Sequence, residues 1–307
     1  MASEVESRKV LIMRKSLVSL AVALVASSAC VNGPESFVTG NLEIYEHFQS
    51  QFVENRAVRV WTPSDYDPSQ KYDVIYMHDG QNLFDASITW NQQEWGVDEV
   101  ISSLLSKGEI RPCIVVGIDN SEQRYAEYYP SAICGDVPEG VLPDGFKALG
   151  DEYLRFVVEE VKPWVDGRYS TWPDAEHTFM MGSSCGGLIS SYALCRYPEV
   201  FGGVACLSTH SSLMNPDTEV DQKPASETYI EYLKAELPAD ADHVLYMDCG
   251  DCQIDSEYFE SQAAINETIA ALGWDGNYMY RFFPGQSHSE SDWRSRLDIP
   301  VRFLLGK

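Results

Sequence analysis

The segment Gly182-Ser183-Ser184-Cys185-Gly186 constrains this chain more than any other stretch. It reads G-x-S-x-G. It follows the apolar run Thr178-Phe179-Met180-Met181 and precedes residues 188–197, which carry a helical pattern. Strand, tight turn and helix in that order hold a serine at the tip of a strained turn, exposed at the carboxyl end of the strand. The flanking glycines are needed because larger residues would keep the strand and helix apart. A serine presented in this way is placed to lose its proton and attack an ester carbonyl.

Around this turn, short apolar runs alternate with amphipathic stretches. The strand candidates are residues 57–61, 74–77, 113–118, 177–181, 204–207, 244–247 and 278–283. The helix candidates are 95–105, 151–165, 188–197, 225–237, 258–272 and 291–304. Such alternation predicts an α/β fold with a mostly parallel central sheet and helices on both faces. An antiparallel pair, 42–52 with 57–61, is expected to start it. No repeat, low-complexity segment or linker interrupts the pattern, so residues 36–307 read as a single domain. Residues 119–149 are rich in Tyr, Pro, Gly and acid and read as a long loop, with a second at 209–224. Long loops in compact domains often carry function.

The 307 residues are enough to bury a sizeable core, and 44% hydrophobic content fits a folded protein. With 22 basic against 47 acidic residues, the net charge of −25 is spread along the chain. That favours a well-solvated surface and leaves no basic patch for nucleic acid. At the N-terminus, Met13-Arg14-Lys15 is followed by an apolar run over 17–25 and then Ala26-Ser27-Ser28-Ala29-Cys30. This is an export-signal pattern, with Met13 an alternative start and residues 1–30 expected to be removed. The run is short for a membrane span. Cys30 resembles the lipid-modified cysteine of bacterial lipoproteins, although Ser27 stands where such signals usually carry leucine. The expected location is therefore periplasmic, secreted or lipid-anchored at the outer surface. Of the remaining cysteines, Cys113 and Cys206 lie in apolar strand-like runs and read as buried small hydrophobes. Cys249-Gly250-Asp251-Cys252 has C-x-x-C spacing without a histidine pair nearby, which favours a local disulfide or two thiols over zinc. No metal and no cofactor is expected.

A serine nucleophile needs a base, an acid and oxyanion donors. His288, in Pro284-Gly285-Gln286-Ser287-His288, follows the last strand and precedes the last helix, where a loop histidine can reach back to Ser184. His47, His177 and His243 read as structural or solvated, while His78 and His210 end strands and are expected to face the cleft. The acid belongs after strand 244–247, where Asp248, Asp251 and Asp255 all qualify by position. The order Ser, acid, His is that of α/β-hydrolases. One oxyanion donor is expected from the backbone of Cys185 at the start of a helix. The other is expected from Gln81, in His78-Asp79-Gly80-Gln81-Asn82-Leu83-Phe84-Asp85, with Gly80 letting the backbone turn.

The stretches Tyr76 to Asp85, Val116-Gly117-Ile118-Asp119-Asn120, Lys162-Pro163-Trp164, Gly182 to Gly187 and Pro284 to His288 resemble the putative esterase family of α/β-hydrolases. That family includes enterochelin esterases, feruloyl and acetyl-xylan esterases of carbohydrate esterase family one, and S-formylglutathione hydrolase. The resemblance covers roughly residues 40–305. It implies Ser184 as nucleophile, His288 as base, and Gln81 and Cys185 as oxyanion donors. The segment Asp255-Ser256-Glu257-Tyr258 looks like family members whose acid precedes a helix, which favours Asp255 over Asp251. Many members have methionine where this chain has Cys185, a difference of little consequence if the backbone N–H is what acts. The resemblance also implies a substrate class: esters of carbohydrates or other small polar molecules. A siderophore esterase of the enterochelin type, or an acyltransferase on the same scaffold, is the alternative. His78, Asp79, His210 and Trp293 are expected to bind substrate, and Tyr125, Tyr128 and Tyr129 to extend an aromatic cleft. A non-enzymatic surface protein and a thiol mechanism through Cys185 are the competing classes.

Overall fold

The structure, a computed structural model, describes residues 38–213, 223–239 and 242–306. The expected leader, with Met13 and Cys30, lies outside the described residues, as does most of the predicted 209–224 loop. Eight strands form one sheet: β1 (Asn41–Phe48), β2 (Arg56–Thr62), β3 (Asp73–His78), β4 (Cys113–Ile118), β5 (Thr178–Ser183), β6 (Gly203–Leu207), β7 (Val244–Cys249) and β8 (Tyr278–Phe282). The helices are α1 (Val97–Ser106), α2 (Arg124–Glu127), α3 (Gly150–Arg155), α4 (Lys162–Arg168), α5 (Cys185–Arg196), α6 (Lys223–Glu236), α7 (Phe259–Ala271), α8 (Glu290–Arg296) and α9 (Asp298–Leu305).

The strand order is β1-β2-β4-β3-β5-β6-β7-β8. The first two strands pair antiparallel, and β2 pairs antiparallel with β4; all later pairings are parallel. The chain runs outward from β3 to β4, then crosses back to β5 on the other side of β3. In open sheets that reversal opens a crevice beyond the carboxyl ends of the strands, where ligands bind. The loops leaving β3 and β5 both enter it.

Alternation along the strands divides the core into two layers. Val74, Tyr76, Ile114, Val116 and Met180 point to one face, packed under α3 to α7. Ile75, Met77, Val115, Phe179 and Met181 point to the other, under α1, α8 and α9. Central strands buried on both faces read as unbroken apolar runs, the signal that located them in the sequence.

Two predicted helices are divided, each by a proline. Residues 151–165 become α3, a π-helical turn over Phe156–Val161, and α4. Pro163 has no N–H and its ring excludes the carbonyl four residues back, so the bonds slip and Lys162 N–H reaches Val157. Residues 291–304 split at Leu297 into α8 and α9, because Pro300 cannot donate into a continuing helix. The predicted 119–149 loop is more ordered than its composition implied. It carries α2, and it buries Tyr128 and Tyr129 in the core with 0% and 1% exposure rather than in an aromatic cleft.

That segment is locked to the sheet by a buried ion pair. Arg56 of β2 donates to both oxygens of Glu127 at 2.7 and 2.6 Å, with side chains 2% and 1% exposed. Burial alone would depress the guanidinium pKa; the Glu127 carboxylate outweighs it and raises it. Removing one partner leaves the other charged and dry. Glu127→Ala is therefore expected to cost about 3–5 kcal/mol, read as a lowered urea midpoint with an unchanged slope. A loss below about 1 kcal/mol would show that water reaches Arg56.

Candidate active site

Ser184 stands between β5 and α5 with φ 57° and ψ −124°, a conformation that costs a non-glycine residue about 1–3 kcal/mol. Three backbone bonds hold it there. Its N–H donates to Leu207 at 2.9 Å, and its carbonyl accepts from Leu188 at 3.1 Å and His210 at 3.1 Å. Close approach requires Gly182 and favours Gly186. A Cβ on Gly182 would lie 2.8 Å from the Gly186 backbone and 2.8 Å from the His78 ring. One on Gly186 would press on His78 Cβ at 3.3 Å.

His78 thus fills the space beneath the turn. Its Nδ1 meets the Tyr153 hydroxyl at 2.8 Å, its Nε2 meets Ser190 at 3.1 Å, and the residue is 3% exposed. Burial lowers its pKa to about 3. The expectation that His78 faces substrate is corrected: the strand ends there, but the side chain turns inward to support the helix start. His210 is likewise 5% exposed, with Nδ1 2.9 Å from the Tyr258 hydroxyl, and it does not line the cavity described below.

The structure brings His288 and Asp255 together. His288 Nδ1 lies 2.6 Å from Asp255 Oδ1, leaving Nε2 as the nitrogen not bound to the carboxylate. Asp255 is fully buried, and its other oxygen accepts from Ser208 Oγ at 2.6 Å and Gly250 N–H at 2.8 Å. Burial pushes this carboxyl up, but the bonds from His288, Ser208 and Gly250 outweigh burial and hold it below the usual carboxylate range. Asp251 does something else: it accepts the Gly285 N–H at 2.6 Å and so braces the loop that carries His288.

Ser208, which no sequence signal marked, is the junction of the buried support. Its hydroxyl donates to Asp255 and accepts from Trp293 Nε1 at 3.0 Å and Arg296 Nη2 at 3.0 Å. Arg296 in turn makes two bonds to Asp248, at 3.2 and 3.0 Å, with side chains 1% and 0% exposed. Asp248, a triad candidate by position, is thereby occupied by Arg296. Trp293 also packs edge-on against the His288 ring at 4.9 Å.

Beyond Ser184 lies a cavity of about 430 Å³, lined among others by Ser183, Ser184, His288, Gln81, Asp79 and Trp293. The Cys185 amide opens α5, and the Gln81 amide lies in a 3-10 turn over Gly80–Asn82. First-turn amides have no carbonyl partner within their helix, so both suit an oxyanion. The turn differs from expectation in one respect. The left-handed residue is Asp79, at φ 55°, not Gly80. Gly80 is needed instead because a Cβ would fall 2.7 Å from the Gly117 backbone and 2.7 Å from Asp119. Asp79 tolerates the conformation and is clamped by Arg124 at 2.7 and 2.8 Å and by Asn120 at 2.6 Å. Burial raises the Asp79 carboxyl, but the Arg124 charge outweighs it and sets it low. Arg124, Asn120, Asn82, Trp90, Trp95 and Glu290 also line the cavity. Sequence reading passed over all six; only Asn120 and Asn82 fell in motifs that had drawn attention.

The seven described cysteines are free thiols. Burial raises the Cys185 thiol, which disfavours a thiolate there. Asp174, Glu176 and His177 bring potential metal-ligand atoms within 4.8 Å of one another, on the turn before β5 and away from the cavity lining.

Comparisons with known proteins agree with this geometry. A Bacillus subtilis (strain 168) protein, the uncharacterized YjcH, is 28% identical over 173 residues, covering 56% of this chain and 62% of its own. The endo-1,4-beta-xylanase/feruloyl esterase of Xylanibacter ruminicola is 21% identical over 278 residues, covering 87% of this chain and 31% of its own. The chain thus spans less than two thirds of the length of either relative. A solved ferulic acid esterase superposes with a TM-score of 0.64 at 19% identity, covering 87% of this chain and 98% of that one. The enterobactin esterase of Shigella flexneri gives 0.63 at 20%, covering 88% and 60%. These likenesses establish the α/β-hydrolase fold.

Two measurements test the site. Asp255→Asn removes the acceptor that fixes the His288 tautomer, so kcat on a short ester should fall by about three to four orders of magnitude. Asp251→Asn should fall far less, and equal losses would unseat Asp255. The second is acid lability. The folded state keeps His78 neutral, whereas the unfolded chain protonates near pH 6.5, so the unfolded state binds more protons and stability falls as pH drops from there. Asp79 and Asp255, held low, add losses of the same sign at lower pH. Urea midpoints should decline from pH 7 to pH 5, and His78→Gln should flatten that span; parallel profiles would refute the assignment.

The family model that matches residues 50–304 is that of the Putative esterase family, and the chain belongs to it.

Proposed function

We propose that this chain is an exported serine carboxylic-ester hydrolase acting on acyl esters of carbohydrates or related small polar molecules. The observation that carries the reading is the Asp255–His288 bond of 2.6 Å behind a cavity that Ser184 and His288 both line. In this mechanism His288 Nε2 takes the Ser184 proton as the hydroxyl attacks the ester carbonyl. The Gln81 and Cys185 amides stabilise the developing oxyanion, each by about 3–4 kcal/mol. Collapse expels the alcohol, which receives its proton from His288 and leaves an acyl-enzyme. Water, activated by the same histidine, releases the acid and restores Ser184.

Asp255 stays ionised in this scheme, consistent with its depressed pKa, and stabilises the imidazolium. The buried, poorly ionised thiol of Cys185 argues against a cysteine mechanism. The carbohydrate part of the reading draws support from the similarity to the xylanase/feruloyl esterase of Xylanibacter ruminicola and to the solved ferulic acid esterase. Export is supported by the basic start at Met13-Arg14-Lys15 and the apolar run before Cys30, the residue that lipid would modify.

The test is Ser184→Ala beside wild type on p-nitrophenyl acetate, methyl ferulate and acetylated xylan, with fluorophosphonate labelling of both. The wild type is expected to turn over at least one ester and to label at Ser184. The variant should lose labelling and about 10³-fold or more of the rate. Wild-type protein that neither labels nor turns over would end the enzyme reading.

A further inference from the structure

We infer that Glu290, with Asn82, Asn91 and Trp90, forms the subsite for the alcohol portion of the ester, selecting neutral polyhydroxy alcohols over anionic ones. The inference rests on the esterase reading and adds a substrate class to it. Its starting point is a charge imbalance inside the cavity. Asp79, at the Arg124 end of the lining, is clamped by a guanidinium. Glu290 lines the same cavity, is 7% exposed, and bonds only to neutral amides. Its Oε1 accepts from Asn82 Nδ2 at 3.4 Å and its Oε2 from Asn91 Nδ2 at 2.7 Å. A carboxylate has about four lone-pair sites, so acceptor capacity remains on both oxygens.

Hydrogen-bond inventory then decides what fits. Each amide NH₂ gives one of its two hydrogens to Glu290, and Asn82 Oδ1 is buried without a partner, so the unfilled capacity at this end is weighted toward acceptors and a ligand that donates fits it. Hydroxyl groups donate without bringing charge, whereas a carboxylate, sulfate or catecholate would meet Glu290 as a like charge. Above this polar floor stands Trp90, 85% exposed, the most exposed large apolar side chain among the described residues. An indole left in water beside a polar floor offers an apolar face to a ring that carries hydroxyls on its edges.

Position in the chain identifies which portion of the ester lies here. Glu290 is two residues beyond His288. The base must pass its proton from Ser184 to the leaving oxygen, so the leaving group sits on the histidine side of the serine. The cavity end beside His288 is the Glu290 end, and the alcohol is what occupies it.

The test compares two acetyl esters that share an acyl group: a monoacetylated methyl xyloside, with a neutral polyhydroxy leaving group, and 3-acetoxybenzoate, with an anionic one. The readout is the ratio of their kcat/KM values in wild type, Glu290→Gln and Trp90→Ala. Wild type is expected to favour the xyloside. Glu290→Gln should lower the ratio by tenfold or more, chiefly by admitting the anionic ester, and this effect should shrink at high salt. Trp90→Ala, a surface change that should leave the melting temperature alone, should raise KM for the xyloside more than for acetoxybenzoate. A ratio within twofold of wild type in Glu290→Gln overturns the subsite, as does a wild type that prefers the anionic ester. Wild type that turns over p-nitrophenyl acetate but not the xyloside overturns the subsite alone; wild type that cleaves none of these esters and takes no fluorophosphonate label overturns the esterase reading and the subsite with it.

Discussion

The left-handed backbone of Ser184 is the constraint from which most of the surrounding structure follows. A residue with a Cβ at φ 57° and ψ −124° is held only if its neighbours leave no alternative. Here the enclosing contacts are so close that Gly182 can be nothing larger, and a side chain at Gly186 would press on His78. The space they free is filled by an imidazole kept neutral by burial, tied on both sides to hydroxyls on neighbouring helices. The strain, the glycines and His78 are therefore one device. It sets Ser184 in the cavity wall immediately before the Cys185 amide that opens α5. Its energy comes from the packing of α5 against β5 and β6, which is why the helix is buried along nearly its whole length.

A second device holds the base. In the proposed mechanism the acid must be charged, buried and oriented, three conditions that conflict unless its oxygens are fully bonded. Asp255 meets them with three donors, and one of these, Ser208, is itself fixed by Trp293 and by Arg296. The Arg296–Asp248 pair contributes little net stability by the usual arithmetic of buried ions. Its consequence is geometric: it fixes the hydroxyl that fixes the acid that fixes His288. The residues involved come from the ends of the paired strands β6 and β7 and from α8, which is distant from both in sequence.

How legible this was in the sequence follows from range. The strands could be found because burial on both faces writes an apolar run, and the serine because its turn demands glycines at fixed positions. The division of two helices was written in Pro163 and Pro300, whose effect a periodicity count does not register. His78 and His210 illustrate the opposite limit. Both end strands, so position alone aims them at the cleft, yet side-chain direction depends on whether a neighbour such as Tyr153 or Tyr258 stands ready to bond them. The same ambiguity among Asp248, Asp251 and Asp255 is resolved only by partners thirty to fifty residues away. Ser208 carried no signal at all, since a serine after a strand is ordinary and its three partners come from other elements.

The distribution of charge joins these points. The chain has 47 acidic and 22 basic residues, and five of its arginines are spent on carboxylates that are buried or nearly so: Arg56 on Glu127, Arg59 on Asp119, Arg111 on Asp73, Arg124 on Asp79 and Arg296 on Asp248. In these five pairs the guanidinium opposes the burial that would otherwise neutralise the acid. Glu290 departs from that pattern. It is 7% exposed, and its environment offers amides instead of a cation. Asp98 and Asp255 are also buried without a guanidinium, but Glu290 is the carboxylate in that position that lines the cavity beside Ser184, and it is most simply understood as matched by the ligand. A neutral donor fits that vacancy in the hydrogen-bond inventory, whereas an anion would meet the charge of Glu290 and of the acidic surface around it. The same excess of acid that solvates the exterior thus sets, at one residue, the sign of what the cavity admits.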